Sequence, residues 1–177
     1  MKTSKQWWDE VKNSPRLMSE WLVKQYRGEV TASHRILRFA EQYATDPHDI
    51  RILSIIADQE RQHALWVKDL LDVRGIEVDA DEINHAEERY WKETLPGIDS
   101  FETGSAVAAH AEAMRLERIR VIANDPEAPL DIRHTFNMIL TDEVFHEKAF
   151  TKLSNTEALI ATQDQHDLGL KALGLAA

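Results

Sequence analysis

The sequence predicts an all-α protein in which four long helices form a bundle. Hydrophobic residues recur at the roughly 3.6-residue period of an amphipathic helix along four long segments. Only six Gly and five Pro interrupt the 177 residues. No segment of any length alternates apolar and polar residues as a half-buried strand does. The length suits one domain, residues 1–177, with a sizeable core.

The four periodic segments fall into two pairs. The first runs from about Pro15 to Ala44 and the second from about His48 to Val73. The third runs from about Phe101 to Ala123 and the fourth from about Leu130 to Leu153. Within each pair a short turn contains Asp-Pro, where Pro ends one helix or opens the next. The bundle is therefore expected over about residues 15–153, after an N-terminal extension.

The connection between the two pairs, residues 74–100, is much longer. Gly75 is expected to cap the second helix, and a short helix is expected around Asp81 to Glu93 before Leu-Pro-Gly breaks it. A last helix is predicted over about Thr156 to Leu173, where it could cover the bundle or pair with a second subunit. Short, long and short connections describe a four-helix bundle with one long crossover between its second and third helices.

Composition excludes several classes of function. The chain has 31 acidic and 21 basic residues, and its net charge of -10 argues against a nucleic-acid or anionic-membrane surface. It has no Cys, which excludes disulfides, thiolate nucleophiles and iron–sulfur clusters. The N-terminus lacks the apolar segment of a secretory signal, and no apolar run reaches about 18 residues. We therefore expect a cytoplasmic protein that binds neither membrane nor nucleic acid.

Polar residues interrupt each of the four apolar stripes near its middle. These residues are Glu29 in the first helix, Glu60 and His63 in the second, Glu112 in the third, and Glu143 and His146 in the fourth. Each of the three polar residues in the first pair of helices has a counterpart of the same type 83 residues later in the second pair. The chain therefore reads as two copies of one helical hairpin, each with a Glu and, 31 residues later, a Glu-x-x-His.

The turns indicate that these six residues meet. The midpoint between the first two glutamates falls in the turn 44–49, and the midpoint between the last two falls in the turn 123–129. Residues equidistant from the turn of an antiparallel hairpin lie at the same height, here roughly 23 Å from each turn. We therefore expect all six side chains at one level of the bundle.

Four buried carboxylates need positive charge beside them, because burying even one unpaired ion costs several kcal/mol. Two divalent cations would balance the four negative charges. Residues three apart are neighbours on a helix, so each Glu-x-x-His can present an oxygen and a nitrogen to one metal. The other two glutamates can bridge or cap. This ligand set is typical of non-haem iron, with manganese as the nearest competitor; a metal-free polar network is the alternative.

These residues and their spacing resemble the ferritin-like di-metal carboxylate superfamily, most closely rubrerythrin-type proteins that lack a rubredoxin domain. The resemblance covers about residues 15–153. It implies a ferritin-like fold and a di-iron oxidoreductase that reacts with dioxygen or hydrogen peroxide. It also implies an external electron donor, because the four cysteines of a rubredoxin site are missing. The catalytic and metal-binding residues implied are Glu29, Glu60, His63, Glu112, Glu143 and His146.

One position departs from the family pattern. Rubrerythrin-type proteins usually carry a further carboxylate one turn after the third-helix glutamate, where this chain has Arg115. We expect Arg115 to pair with a nearby acid, and the reduced centre to react with dioxygen about as fast as with peroxide. Two other functions stay open: an iron-storage ferroxidase, and a di-manganese protein that disproportionates peroxide. A homodimer stays open as well.

The residues around the six ligands suggest supporting roles. Asp142 is expected either to orient His63 across the bundle or to lie at the surface as an ordinary acid. Its repeat counterpart, Gln59, could serve His146 as a neutral hydrogen-bond acceptor. Tyr26 is expected to be an ordinary core residue, and the other histidines and the tryptophans are expected to have packing or surface roles.

Overall fold

The computed structural model describes residues 2–78 and 88–175, and this part of the chain contains seven α-helices and no strand. The helices are α1 (Ser4–Lys12), α2 (Pro15–Tyr43), α3 (Pro47–Asp72), α4 (Glu88–Thr94), α5 (Phe101–Ala123), α6 (Leu130–Leu153) and α7 (Thr156–Ala172). The predicted all-α class is confirmed, and the four bundle helices agree with the sequence prediction to within one residue at each end. None of the described helices is long and apolar enough to cross a membrane.

The connection after α3 is only partly within the described residues. The short helix predicted around residues 81–93 is found as α4, and it is followed by a single 3-10 turn, Leu95–Gly97. Residues 79–87, where the predicted helix was expected to begin, lie outside the described part of the chain.

Local sequence signals set the ends of the helices as expected. Asp46 caps α3 by accepting a hydrogen bond from the backbone N–H of His48 (2.7 Å), and Pro47 occupies the first helical position. Gly75 follows the end of α3 with φ of 65°, a left-handed conformation that costs glycine little. The backbone N–H of Ile76 then bonds to the carbonyl of Leu71 (3.0 Å), which completes the cap.

Helices α2, α3, α5 and α6 form the bundle. Helix α2 packs along α3 and α5 packs along α6 as two hairpins, and α3 also packs against α6. Arg74, just after α3, pairs with Asp131 at the start of α6 (2.8 Å), so these two helices are antiparallel. Because α6 begins where α5 ends, the connection from α3 to α5 must return along the length of the bundle. This is the predicted long crossover.

The six predicted ligands divide the apolar core in two. One buried cluster is built on Trp8, Trp21, Leu22, Leu71 and Phe136, and the other on Ile36, Leu53, Ile56 and Phe150. In α2 the first cluster ends at Tyr26, the second begins at Ile36, and Glu29 lies between them. In the other three bundle helices the ligands likewise lie between residues of the two clusters. The polar level therefore sits between two packed apolar layers that hold it in place.

The remaining helices pack on the outside of the bundle. Helix α1 lies against α2 and α5, with Trp8 in edge-on contact with Trp21. Helix α7 packs against α4 and α5, so it covers the bundle, one of the two roles considered for it. Between α2 and α5 the bundle is open, and two hollows of about 650 and 500 Å³ lie there.

Candidate metal centre

All six predicted ligands meet at one level inside the bundle. Their helical spacing aims them at the core, between the two apolar clusters above and below. The relative exposure is 5% for Glu112 and 0% for Glu29, Glu60, His63, Glu143 and His146. Four carboxyl groups and two imidazoles at this degree of burial are rare unless they pair or bind metal.

The six side chains form two overlapping donor sets. One set consists of Glu29, Glu60, His63 and Glu143, and the other of Glu60, Glu112, Glu143 and His146. Within each set, one ligand atom per residue lies within 4.8 Å of all the others. Glu60 and Glu143 belong to both sets, whereas Glu29 and Glu112 belong to one set each. The sequence left this division open.

A chain of hydrogen bonds behind the ligands fixes both imidazoles. Nε2 of His63 lies 3.2 Å from Oδ2 of Asp142, and Nε2 of His146 lies 3.0 Å from Oε1 of Gln59. The Gln59 amide donates to the other carboxylate oxygen of Asp142 (2.8 Å). Of the two roles considered for Asp142, the structure shows the contact with His63, and the possible contact of Gln59 with His146 is also present, so that the two join into a single chain.

Asp142 sets the tautomer of both histidines. An ionised carboxylate only accepts hydrogen bonds, so it requires N–H groups from both His63 and Gln59. The Gln59 amide must then turn its oxygen toward His146, which requires an N–H on Nε2 of that ring as well. In the neutral form of each imidazole, Nδ1 is then unprotonated and faces the carboxylates, and this is the form that binds a metal.

The inner atoms of the site lack partners. Within the described part of the chain, Nδ1 of His63 and His146 and one oxygen each of Glu112 and Glu143 are buried without a hydrogen bond. Carboxylate oxygens lie 3.3–3.9 Å from the two Nδ1 atoms. Unpaired buried acceptors that face one another are unfavourable unless a cation lies between them. The residues present therefore fit a pair of metal ions.

Arg115 lies among the carboxylates. Its Nη2 donates to Glu29 (2.6 Å) and Glu143 (3.2 Å), and both of its terminal nitrogens approach Glu60 (3.4 Å). Nη1 lies 3.7 Å from Glu112. The predicted pairing with a nearby acid is confirmed, and it extends to all four glutamates. One guanidinium brings one positive charge to a site with four carboxyl groups.

With one guanidinium among four buried carboxyl groups, the pKa values of several ligands are shifted. Burial raises the pKa of Glu29 and of Glu143 well above the usual value of 4.5, although Arg115 opposes the shift. Burial also acts to raise the pKa of Glu60, but the positive charge of Arg115 and hydrogen bonds outweigh it, so this pKa lies below the usual range. Burial lowers the pKa of His63 and keeps that ring neutral.

Two features of the site were missed in the sequence. The amide of Gln25 donates to Oε1 of Glu29 (2.5 Å), and the four-residue spacing of these polar groups on one helix face was the available signal. The direct bond between Gln59 and Asp142 was also missed. These two residues are 83 positions apart, so the repeat itself places them opposite each other across the bundle.

Comparison with known proteins agrees with this geometry. A sequence model of the rubrerythrin family matches residues 20–154, which is more than half of the chain and includes all six predicted ligands. The chain matches none of the curated proteins and none of the solved structures with which it was compared.

Proposed function

Because the chain belongs to the rubrerythrin family, we propose that it is a non-haem di-iron oxidoreductase that uses dioxygen or hydrogen peroxide as its oxidant. The observation that carries the proposal is the pair of buried donor sets that share Glu60 and Glu143. A polar network without metal would not leave Nδ1 of both histidines buried beside carboxylates without a hydrogen bond. Mixed carboxylate and imidazole ligation is typical of redox-active non-haem iron.

In this proposal each hairpin supplies one glutamate and one histidine that would bind a single ion. Glu29 and His63 would hold one iron, Glu112 and His146 would hold the other, and the two shared glutamates would bridge them. Bound iron supplies the two electrons needed to reduce an O–O bond. Since the chain has no Cys, the electrons that restore the reduced state come from another protein or a small molecule.

The protein's own residues prepare the site for metal. The chain of hydrogen bonds from Asp142 keeps both imidazoles in the tautomer that ligates. Protons on the carboxyl groups with raised pKa are released when metal binds, so affinity should fall as pH falls. Arg115 must leave its place between the carboxylates, because a guanidinium and a metal ion of the same charge sign cannot share it.

Anaerobic titration of the metal-free protein with Fe(II), followed by dioxygen or peroxide, tests the proposal. We expect two Fe(II) ions per chain and rapid oxidation of both. Loading with Mn(II) followed by peroxide tests the di-manganese alternative, which predicts disproportionation of the peroxide. The mass of the protein in solution distinguishes a many-subunit storage cage from a small assembly. Binding of one ion by all six residues, or oxidant-insensitive iron, would contradict the proposal.

The identity of the oxidant is a separate expectation. Arg115 occupies the place where rubrerythrin-type proteins usually carry a further carboxylate, so the centre is limited to four carboxylates and two imidazoles. We expect stopped-flow oxidation of the Fe(II) form by dioxygen and by peroxide at comparable rates. A peroxide rate that is orders of magnitude higher would indicate a peroxidase instead.

A further inference from the structure

The opening between α2 and α5 leads from the surface to the carboxylate cluster. Arg115 and Glu112 both line the larger hollow, so it reaches the candidate metal centre. The smaller hollow adjoins it, and Arg35, Trp91 and Arg115 line both. The guanidinium of Arg35, on α2, stacks 3.7 Å above the ring of Trp91, on α4. We call the two hollows together the α2/α5 groove.

Within the part of the chain that the structure describes, the lining of the α2/α5 groove is mainly basic, whereas the whole protein is acidic. Among the described residues, the larger hollow is lined by four arginines, Arg27, Arg35, Arg38 and Arg115, and by one acid, Glu112. The smaller hollow adds Lys24, Arg89 and Arg118 to the two arginines that it shares, and its one acid is Glu20. The chain as a whole carries 31 acidic and 21 basic residues. Basic side chains are therefore concentrated where the protein opens toward its metal-binding residues.

The rest of the larger hollow is mainly apolar, and its other polar residues include Thr31, His34 and Gln42. Its wall includes Val30, Phe39, Tyr43, Leu95, Ile98 and Val107. A volume of about 650 Å³ lies within the range of roughly 300–1,000 Å³ that is usual for sites that bind small molecules. An apolar wall with several cations on its lining suits a molecule that has a hydrophobic body and a negatively charged end.

We propose that the α2/α5 groove binds an organic anion with an apolar body, an acyl or aryl carboxylate, with its carboxylate on the arginines of α2. Guanidinium groups bind carboxylates in a two-pronged geometry, while the apolar wall takes up the chain or ring. The binding site rests on the groove alone. Its use as the substrate site of an oxidation rests on the proposed function. An acidic protein surface would match the charge, but it would not enter a concave apolar hollow.

Calorimetric titration of the full chain with three ten-carbon probes tests this site. The probes are decanoate, 1-decanol and decyltrimethylammonium, which share an apolar chain and differ in charge. We expect decanoate to bind one per chain and on the order of tenfold more tightly than 1-decanol, and the cation to bind least. Equal binding of decanoate and 1-decanol, or tighter binding of the cation, would overturn the proposal.

Amino-acid substitutions test whether the probes bind in the α2/α5 groove. We expect the double variant Arg35→Gln/Arg38→Gln to lose the preference for decanoate over 1-decanol. The double variant Arg51→Gln/Arg61→Gln removes the same charge from exposed positions on α3 and should keep that preference. Ala108→Trp fills the larger hollow and should weaken all three probes, whereas Ala161→Trp, on the exposed side of α7, should not. Equal effects in a variant and its control would overturn the proposal.

Two further measurements separate the possible results. Fe(II) titration of the same Arg35→Gln/Arg38→Gln protein should still give two ions per chain, because neither arginine is a predicted ligand. Decanoate binding without Fe(II) binding would therefore refute the di-iron function and support the binding site in the groove. Fe(II) binding without decanoate binding would support the di-iron function and refute the binding site. A poly-glutamate peptide that displaces decanoate and binds more tightly would indicate an acidic protein partner and overturn the small-molecule site.

Discussion

The two hairpins carry the same ligands 83 residues apart, yet the chain supports the two histidines differently. His63 donates to the carboxylate of Asp142, whereas His146 donates to the amide oxygen of Gln59. A carboxylate behind an imidazole raises its basicity more than a neutral amide does. The two candidate metal positions are therefore chemically unequal although their ligands are the same.

The glutamates at the start of each repeat differ in the same way. Glu29 accepts hydrogen bonds from Gln25 and Arg115. The position that corresponds to Gln25 in the second hairpin is Ala108, and the position that corresponds to Arg115 in the first is Ala32. The repeat is thus retained in the ligands and lost in the residues that contact them. This pattern is expected if two equal ligand sets serve two ions with different tasks.

The largest predicted effect is on metal content, and it should differ between a ligand that belongs to both donor sets and a ligand that belongs to only one. Glu60→Gln removes a carboxylate from both donor sets, so we expect metal content to fall from two ions per chain to well below one. Glu112→Gln removes a carboxylate from one set only and should leave about one ion. Metal analysis after anaerobic loading measures both. Equal losses in the two variants would contradict the assignment of Glu60 as a bridge.

Arg115→Met should have opposite effects on the metal-free and the metal-loaded protein. In the metal-free form the buried carboxylates lose their counter-charge, and we expect the free energy of unfolding to fall by up to about 3 kcal/mol. Fe(II) no longer has to displace a cation, so its affinity should rise on the order of tenfold, about 1.4 kcal/mol. Thermal unfolding with and without metal, and Fe(II) titration, measure the two effects.

Arg118→Met is the matched control for this prediction. Arg118 lies one turn further along α5 and faces the ring of Trp7 at 5.3 Å. Its loss should lower the stability of both forms alike and leave the Fe(II) affinity unchanged. A similar loss of stability in both forms of Arg115→Met would show that Arg115 only packs and does not compete with metal.

The hydrogen-bond chain behind the histidines gives the next prediction. In Asp142→Asn the new amide must present an N–H₂ group either to Gln59 or to His63, both of which donate toward it. Both imidazoles are disturbed, so we expect both ions to bind about 10–100-fold more weakly. Gln59→Ala leaves the bond between His63 and Asp142 in place and should weaken mainly the ion at His146. Stepwise Fe(II) titration with helicity measured by circular dichroism distinguishes these outcomes from unfolding.

Much of this site follows from patterns that are local in the sequence. Helical periodicity and turn residues determine the helix ends, and equal spacing from the two turns brings the six ligands to one level. The choice between bridging and capping glutamates was not predictable, because it depends on how the two hairpins face each other. The position of Arg115 was not predictable in detail either. A long side chain one turn from Glu112 can reach solvent or the cluster, and only the packing of four helices decides.

The α2/α5 groove illustrates the same limit. The apolar periodicity of a helix predicts which face is buried, but it does not fix the distance between two helices that face each other. Here Gly104 on α5 gives Phe39 on α2 the room to lie against the helix, since a Cβ at Gly104 would come within 2.2 Å of the ring. Trp91, from the crossover, then meets Arg35. These contacts join segments that are distant in the sequence.

The smallest predicted effect compares Glu60 with its repeat counterpart, Glu143, in the metal-free protein. Burial raises the pKa of Glu143 above 4.5, whereas the charge of Arg115 and hydrogen bonds overcome burial at Glu60 and lower its pKa. A carboxyl group with a raised pKa in the folded state loses its stabilising contribution as pH rises from about 4.5 through the folded pKa. Glu143→Gln cannot ionise, so it should gain stability relative to the wild type between about pH 5 and 8.

Glu60→Gln should behave in the opposite way. A carboxyl group with a lowered pKa contributes its full stabilisation above about pH 4.5 and loses it at more acidic pH. This variant should therefore be less stable than the wild type by a constant amount between about pH 5 and 8, and the deficit should shrink below about pH 4.5. Thermal unfolding of the chelator-treated proteins measures both trends, since 1 kcal/mol shifts the Tm of a chain of this size by about 2–4 °C. If stability changed with pH in the same way in the two variants, Arg115 would affect the pKa of the two shared glutamates equally. The asymmetry of the site would then be confined to the residues behind the histidines.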